Sequence, residues 1–141
     1  RKVARLGTGF YASRDYAARN KLPERRDEWK GHRIIGFADR ESNAHLARWS
    51  DLITRQGTVV MRCSSQGDML AAARAGLGIS ALSCFVAAGY PDLVRVAPQK
   101  LVSIADLWLL AHPDLVELPA VRAVLAFVTS SAREDRVKLR G

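Results

Sequence analysis

Hydroxyl and amide side chains follow two apolar runs of this chain that are predicted strands. The polar residues are Ser64, Ser65 and Gln66 after the first run, and Ser83 with Cys84 after the second. Gly67 comes next to the first group, and its missing side chain leaves neighbouring backbone N–H groups open. Hydroxyls, an amide and free N–H groups suit an anion or a small polar molecule. The sequence therefore predicts a polar binding site, with the alternative that Ser65 only caps a helix and Ser64 only turns the chain.

The element that positions these groups is the stretch 59–83, whose pattern indicates strand, turn, helix and strand. Residues 59–63 are almost continuously apolar, which is typical of a strand buried on both faces. Ser65 stands three residues before Asp68, the spacing of a capping box, so a helix is predicted to begin directly after it and to end at Gly76. This is a βαβ unit of a parallel sheet. Ligands of such sheets bind where the strands end, which is where the polar groups lie.

The rest of the chain alternates apolar runs with helical patterns, as an α/β protein does. Further strands are predicted at 3–12, 33–38, 93–97 and 105–111, with 33–38 central in the sheet; further helices are predicted at 13–20, 42–57, 85–89 and from Pro119 onward. The last helix is predicted to bury Val121, Val124, Leu125 and Val128 on one face. The charged tail, 133–141, is predicted to fray.

Length, charge and hydropathy limit the possible functions. A chain of 141 residues with 48% hydrophobic residues suits one soluble domain or slightly more. It has no run long enough to span a membrane and no secretory leader, so we expect a cytoplasmic protein without membrane contact. The net charge of +8 comes mainly from the two ends and from 19–33, so we do not expect sequence-specific nucleic-acid binding by this segment itself. Because the first residues look like the interior of a domain, we expect a piece of a longer protein.

The sequence contains no complete motif for catalysis or metal binding. Residues 76–81 fit a dinucleotide-binding pattern, but they leave a helix and open a strand, the reverse of what that motif needs. Residues 78–82 lack the second glycine of a nucleophile elbow. The histidines have no metal-ligand spacing, and two cysteines are too few for a zinc site. We therefore expect no catalysis, no cofactor and no metal, and leave Cys84 as either a packing residue or a thiol sensor at a helix start.

Several stretches together resemble the effector-binding domain of LysR-type transcriptional regulators. They are GFYASRDY at 9–16, AARAGLGISAL at 72–82, DLVRV at 92–96, and LWLLAHPDL at 107–115 followed by PAVRAV at 119–124. Their order and spacing agree with that family over nearly the whole chain.

The resemblance implies an α/β fold like that of type II periplasmic binding proteins, with two subdomains joined by crossover strands around a ligand cleft. It implies that 1–10 is a crossover strand, that 11–97 is the complete second subdomain with a mainly parallel sheet, and that 98–141 is the other crossover with the C-terminal part of the first subdomain. Members of this family contact effectors from the loop that opens the long helix and from the turn after the strand at 59–63. By position, the candidate effector-binding residues are Phe37, Ser42, Asn43, Ala44, Ser64, Ser65, Gln66 and Ser83.

The function that the resemblance implies is effector sensing without catalysis. A small metabolite, for example a carboxylate, would bind in the cleft and modulate DNA binding by a separate helix-turn-helix domain, within a homodimer or homotetramer. Neither that domain nor the opening half of the first subdomain is in this sequence. The alternative is a solute-binding protein or a binding-protein-like enzyme fragment; a leader peptide upstream would favour the solute binder, and a winged helix would favour the regulator.

Overall fold

The computed structural model describes residues 1–25, 28–38, 51, 53–97 and 103–141. The strands in these ranges are β1 (Lys2–Ser13), β2 (Arg33–Phe37), β3 (Thr58–Cys63), β4 (Ile79–Ser83), β5 (Leu93–Val96) and β6 (Ser103–Trp108). The helices are α1 (Arg14–Arg19), α2 (Gln66–Arg74), α3 (Cys84–Ala87), α4 (Pro113–Val116), α5 (Pro119–Glu134) and α6 (Arg136–Arg140). The described residues 51, 53 and 54 are also helical, and most of the helix predicted at 42–57 lies outside the described residues.

The strands form one sheet in the order β3-β2-β4-β1-β5, and β6 pairs with β1 as well. Strand β2 runs parallel to β3 and to β4. Strand β1 runs antiparallel to β4, β5 and β6. Every described strand except β1 therefore points in the same direction, which confirms the predicted α/β class with a mainly parallel sheet.

Strand β2 is central, as predicted, because it pairs on both sides. Its Ile34 and Ile35 are fully buried. The predicted βαβ unit is present as β3, α2 and β4, but β2 lies between its two strands, so they are not neighbours.

Strand β3 lies at the edge of the described sheet, and the prediction that it is buried on both faces is wrong. Val60 and Met61 are exposed, and Cys63 at its end is buried. An apolar run predicts a strand, but the elements that pack on its two faces decide whether its side chains are buried.

The starts of helices α1 and α2 and the end of α2 agree with the local signals in the sequence. The Ser13 hydroxyl accepts a hydrogen bond from the backbone N–H of Tyr16 at 3.1 Å, which starts α1. Helix α2 begins at Gln66 behind its Ser65 cap, and Gly76 has the left-handed φ of +76° that follows its end. Met69 and Ala73 of α2 are fully buried.

The C-terminal part differs from the sequence prediction in its packing. Helix α5 begins at Pro119 as predicted, but Val124 is exposed, and the residues of α5 that are buried are Thr129 and Ala132. Val121, Leu125 and Val128 of the predicted stripe are half-buried on the same side of the helix as Thr129 and Ala132. Of the four predicted residues only Val124 is exposed. Periodicity identifies an apolar stripe, but the elements available to cover it decide whether it is buried.

The tail does not fray; it forms α6 against β1. Leu139 is buried, and a Cβ on Gly7 of β1 would overlap the carbonyl oxygen of Arg140. The glycine thus allows the backbone of α6 to lie directly on the strand. Strand β6 ends three residues before the predicted end at 111, because its pairing runs from Thr8 opposite Ser103 to Lys2 opposite Trp108 and stops where β1 begins.

Candidate functional site

The carboxyl ends of the parallel strands meet at one edge of the sheet, and the predicted polar groups of the described chain lie there. Strand β2 ends at Phe37, β3 at Cys63 and β4 at Ser83, with β2 in the middle. The backbone N–H of Ala38 donates to the carbonyl of Cys63 at 2.8 Å, so the chain leaves β2 and β3 side by side. Ser64 and Ser83 therefore flank the end of β2 on its two sides.

Ser65 acts as the predicted N-cap of α2. Its hydroxyl oxygen accepts from the backbone N–H of Asp68 at 3.1 Å, and the hydroxyl donates to Oδ2 of Asp68 at 2.8 Å. The Asp68 carboxylate also lies in the first turn, where the helix dipole favours negative charge. The hydroxyl of Ser65 thus both accepts and donates a hydrogen bond within the turn, so its role in this structure is to stabilise the start of α2. The exposed Ser64 beside it makes no side-chain hydrogen bond to the described residues.

Gln66, the first residue of α2, has an unpaired oxygen atom at this edge. Its Oε1 atom is buried and has no hydrogen-bond partner among the described residues. A buried amide oxygen without a partner costs roughly 1–3 kcal/mol, which a donor from a bound molecule would recover. Unpaired buried polar atoms are uncommon in folded proteins, which makes Gln66 a candidate for contact with a bound molecule.

Ser83 is buried and caps the short helix α3. Its hydroxyl oxygen accepts from the backbone N–H of Val86 at 3.4 Å, and its backbone pairs with Thr8 of β1. Phe37 is also buried, as part of the core. Ser42, Asn43 and Ala44 lie outside the described residues.

The two cysteines are free and buried. Burial, followed by the nearby Asp68 carboxylate, raises the pKa of Cys63, which agrees with its predicted role as a small buried hydrophobe. Cys84 lies against Gly141, where an added Cβ would press on its sulfur atom. The thiol of Cys84 is therefore covered in this structure, which favours packing over sensing.

Sequence reasoning missed Tyr11 and Arg95, which lie opposite each other on β1 and β5. Burial, followed by a hydrogen bond with Cys84, raises the pKa of Tyr11 above its usual range. Nη1 of Arg95 donates to the carbonyl of Gly141 at 3.3 Å, while Nη2 is buried without a partner among the described residues. The signal in the sequence was an arginine inside the otherwise apolar strand Leu93–Val96.

Two cavities among the described residues lie away from this edge of the sheet. One cavity of about 420 Å³ is lined by Arg1, Leu109, Val116 and Leu125 among others, and a second of about 410 Å³ lies between β1 and the C-terminal helices. Within the described ranges no cluster of His, Cys, Asp and Glu could hold a metal ion. In those same ranges no helix has the length and hydropathy needed to cross a bilayer.

A family model described as the LysR substrate binding domain matches residues 1–133. This chain belongs to that family. Domains of this kind are regulatory parts of LysR-type transcription regulators and are generally not enzymes.

Solved structures of LysR-type regulators share the fold. The regulatory domain of CrgA from Neisseria meningitidis has 20% identity and a TM-score of 0.72, over 92% of this chain and 67% of its own. The regulatory domain of AphB from Vibrio vulnificus has 17% identity and a TM-score of 0.67, over 92% of this chain and 68% of its own. Full-length AphB, a virulence activator of Vibrio cholerae, has 16% identity and a TM-score of 0.71, and this chain covers 46% of it. These likenesses confirm the periplasmic-binding-protein-like fold, and the chain spans under half of the full-length regulator. No protein in the curated set matches the chain by sequence.

Proposed function

We propose that this chain is the effector-sensing part of a LysR-type regulator, and that a small polar metabolite binds at the carboxyl edge of its sheet. The observation that carries the proposal is the unpaired Oε1 of Gln66 at that edge, beside the exposed Ser64. Members of the family bind small-molecule effectors and contact DNA through an N-terminal domain. In this proposal the bound metabolite changes how a homodimer or homotetramer presents its DNA-binding domains in the cytoplasm.

We further propose that residues 11–97 form the complete second subdomain, with 1–10 as a crossover and 98–141 as the other crossover with part of the first subdomain. Burial supports this division. The core is drawn from 10–97, whereas large apolar side chains of the C-terminal part are exposed, among them Trp108, Leu110 and Phe127. Such a face is what the remaining part of a first subdomain would cover.

The proposed site supports a specific ligand chemistry. The amide of Gln66 offers an acceptor, the hydroxyl of Ser64 offers a donor and an acceptor, and the N-terminus of α2 favours negative charge. A hydroxy or amino carboxylate presents all three complementary groups. The unmatched acceptor is the reason for expecting an N–H or O–H on the ligand in addition to a carboxylate.

The experiment is a thermal-shift screen of small carboxylates and aromatic metabolites against the full-length protein. A ligand at a hundred times its Kd stabilises the folded state by about 2.7 kcal/mol, which is readily detected. We expect Gln66→Leu to weaken or abolish the shift caused by the best ligand. Gln56→Leu makes the same change at an exposed position before β3 and should leave the shift intact.

Ser64→Ala and Asn43→Ala complete the test at the two loops that the family resemblance points to. We expect Ser64→Ala to reduce the shift without lowering the stability of the free protein, because its side chain makes no hydrogen bond within the described chain. A ligand whose stabilisation survives Gln66→Leu, Ser64→Ala and Asn43→Ala binds somewhere else, and the proposed site would then be wrong.

A further inference from the structure

We propose that the cavity between β1 and the C-terminal helices binds a small anion with two or more negative charges, such as a phosphate ester or a polycarboxylate. The cavity has a volume of about 410 Å³. Its basic lining residues are Lys2 and Arg5 of β1 with Arg133, Arg136 and Arg140 of the C-terminal segment. It shares no lining residue with the sheet edge, so this proposal does not depend on the proposed function.

The backbone around the cavity is held in place by packing. Ala132 and Leu139 are buried on the inner side of α5 and α6. The carbonyl of Arg140 lies directly over Gly7 of β1. The arginines therefore extend from a segment that is fixed against the strand, unlike the side chains of a frayed tail.

The charges that line the cavity are poorly balanced. Lys2 and Arg5 share one carboxylate, that of Asp106, at 2.6 and 3.7 Å. Within the part of the chain that the structure describes, Arg133, Arg136 and Arg140 make no ion pair. The nearest acidic residues in sequence are occupied elsewhere, since Asp135 pairs with Lys138 at 2.8 Å and Glu134 accepts from Ser130 at 3.0 Å. Five cationic residues thus line the cavity, and Asp106, which is not among the lining residues, pairs with two of them.

Such an arrangement attracts anions for two reasons. Like charges in a concave surface repel one another, and a bound anion removes that repulsion. Guanidinium groups also bind carboxylate and phosphate oxygens through paired N–H donors, with better geometry than a lysine provides. Several arginines around one cavity therefore favour an anion with several oxygens over a single chloride ion.

The size of the cavity favours a small molecule over a nucleic-acid backbone. Ligand pockets commonly have volumes of about 300 to 1,000 Å³, and this one lies in that range. A duplex needs cations spread along a surface that follows its phosphates. Here the cationic residues come from β1 and from the end of α5 with α6, and they line one half-open cavity. An anion bound there would tie the C-terminal helices to the strand.

The test compares the thermal stability of the full chain in citrate, inorganic phosphate and sodium chloride at equal ionic strength. We expect citrate and phosphate to raise Tm well above the value in sodium chloride. The rise should be lost in the double variant Arg133→Gln with Arg136→Gln. The matched control is Arg55→Gln with Arg62→Gln, which removes the same charge from two exposed arginines on the other side of the sheet and should keep the full rise.

Calorimetric titration with citrate provides a second readout that does not depend on unfolding. We expect at least about tenfold weaker binding in the Arg133 and Arg136 double variant, and an intermediate loss in Arg136→Lys, which keeps the charge but not the paired donors. Equal stabilisation by all three salts, or citrate binding that survives the double variant, would overturn the proposal. Displacement of citrate by a short DNA duplex would also overturn it, because the basic cluster would then be a nucleic-acid surface.

Discussion

The two methionines of this chain provide a direct test of which side chains of the βαβ unit are covered. Met61 lies in β3 and Met69 in α2, within the same βαβ unit. The sequence alone predicts that both are buried. In the structure Met69 is fully buried at 0% exposure, whereas Met61, on the edge strand β3 of the described sheet, is 41% exposed.

The same substitution to alanine should therefore have different effects on the free energy of unfolding. Met69→Ala removes a buried side chain and leaves a cavity, which costs about 3 kcal/mol. Met61→Ala removes a side chain that is already partly in water and leaves no enclosed cavity, so we expect a cost of about 1 kcal/mol or less.

Urea unfolding measures both costs in one assay. With a slope of about 2 kcal/mol per molar urea, Met69→Ala should lower the midpoint by about 1.5 M and Met61→Ala by about 0.5 M or less. The slopes themselves should match that of the parent chain, since neither change alters the fold. Two equal midpoint shifts of the larger size would mean that Met61 is covered, and the exposed position of its side chain on β3 would be refuted.

Two further pairs of variants test the pH dependence and the close backbone contacts. Burial lowers the pKa of His32 in the folded state, so the unfolded state binds more protons below about pH 6.5 and the free energy of unfolding should fall between pH 7 and 5.5. His32→Gln should reduce this fall in pH-dependent urea unfolding, and His112→Gln, at an exposed ring, should not; an unchanged slope in His32→Gln would contradict the reasoning. Gly78→Ala should lower stability by about 2 kcal/mol, because its Cβ would overlap the carbonyl of Arg33. Gly67→Ala, whose Cβ would meet nothing closer than 3.6 Å, should raise stability by about 0.5 kcal/mol, and a loss there would show that the turn needs glycine.

Local features of this fold could be predicted from the sequence because their causes lie within a few residues. The caps at Ser13 and Ser65 and the left-handed stop at Gly76 each depend on one side chain or one φ angle. The position of polar groups at the strand ends follows from the same local signals, once the strands are taken as parallel. This is why the sequence could predict that polar side chains gather at the carboxyl edge of the sheet.

Burial depends on which elements become neighbours, and that is decided far along the chain. The run from Val59 to Met61 is as apolar as Ile34 and Ile35, yet β2 has partners on both sides and β3 on one. The same holds for α5, whose predicted stripe is half-buried at Val121, Leu125 and Val128 but exposed at Val124. Hydrophobic periodicity gives the orientation of an element and does not identify its partner.

The sequence also could not predict which polar atoms of the candidate site lack hydrogen-bond partners. No spacing rule in the sequence indicates that Oε1 of Gln66 is buried without a partner among the described residues. The contact between Cys84 and Gly141 joins residues that are far apart in the chain. Arg95 could have been noticed as a charge inside an apolar strand, but its unpaired Nη2 could not.

Strand β1 runs past both proposed binding regions, and it changes its pairing partners between them. Thr8 pairs with Ser83 of β4 and with Ser103 of β6, whereas Phe10 pairs with Ala81 of β4 and Val96 of β5. Among the described pairs, Gly9 between them pairs with β4 alone. The change of partner thus falls at a residue without a side chain, where a bend of the strand costs the fewest contacts. The proposed anion cavity lies on one side of Gly9 and the proposed second subdomain on the other. The strand that carries Lys2 and Arg5 therefore also pairs with β4, beside the candidate effector site.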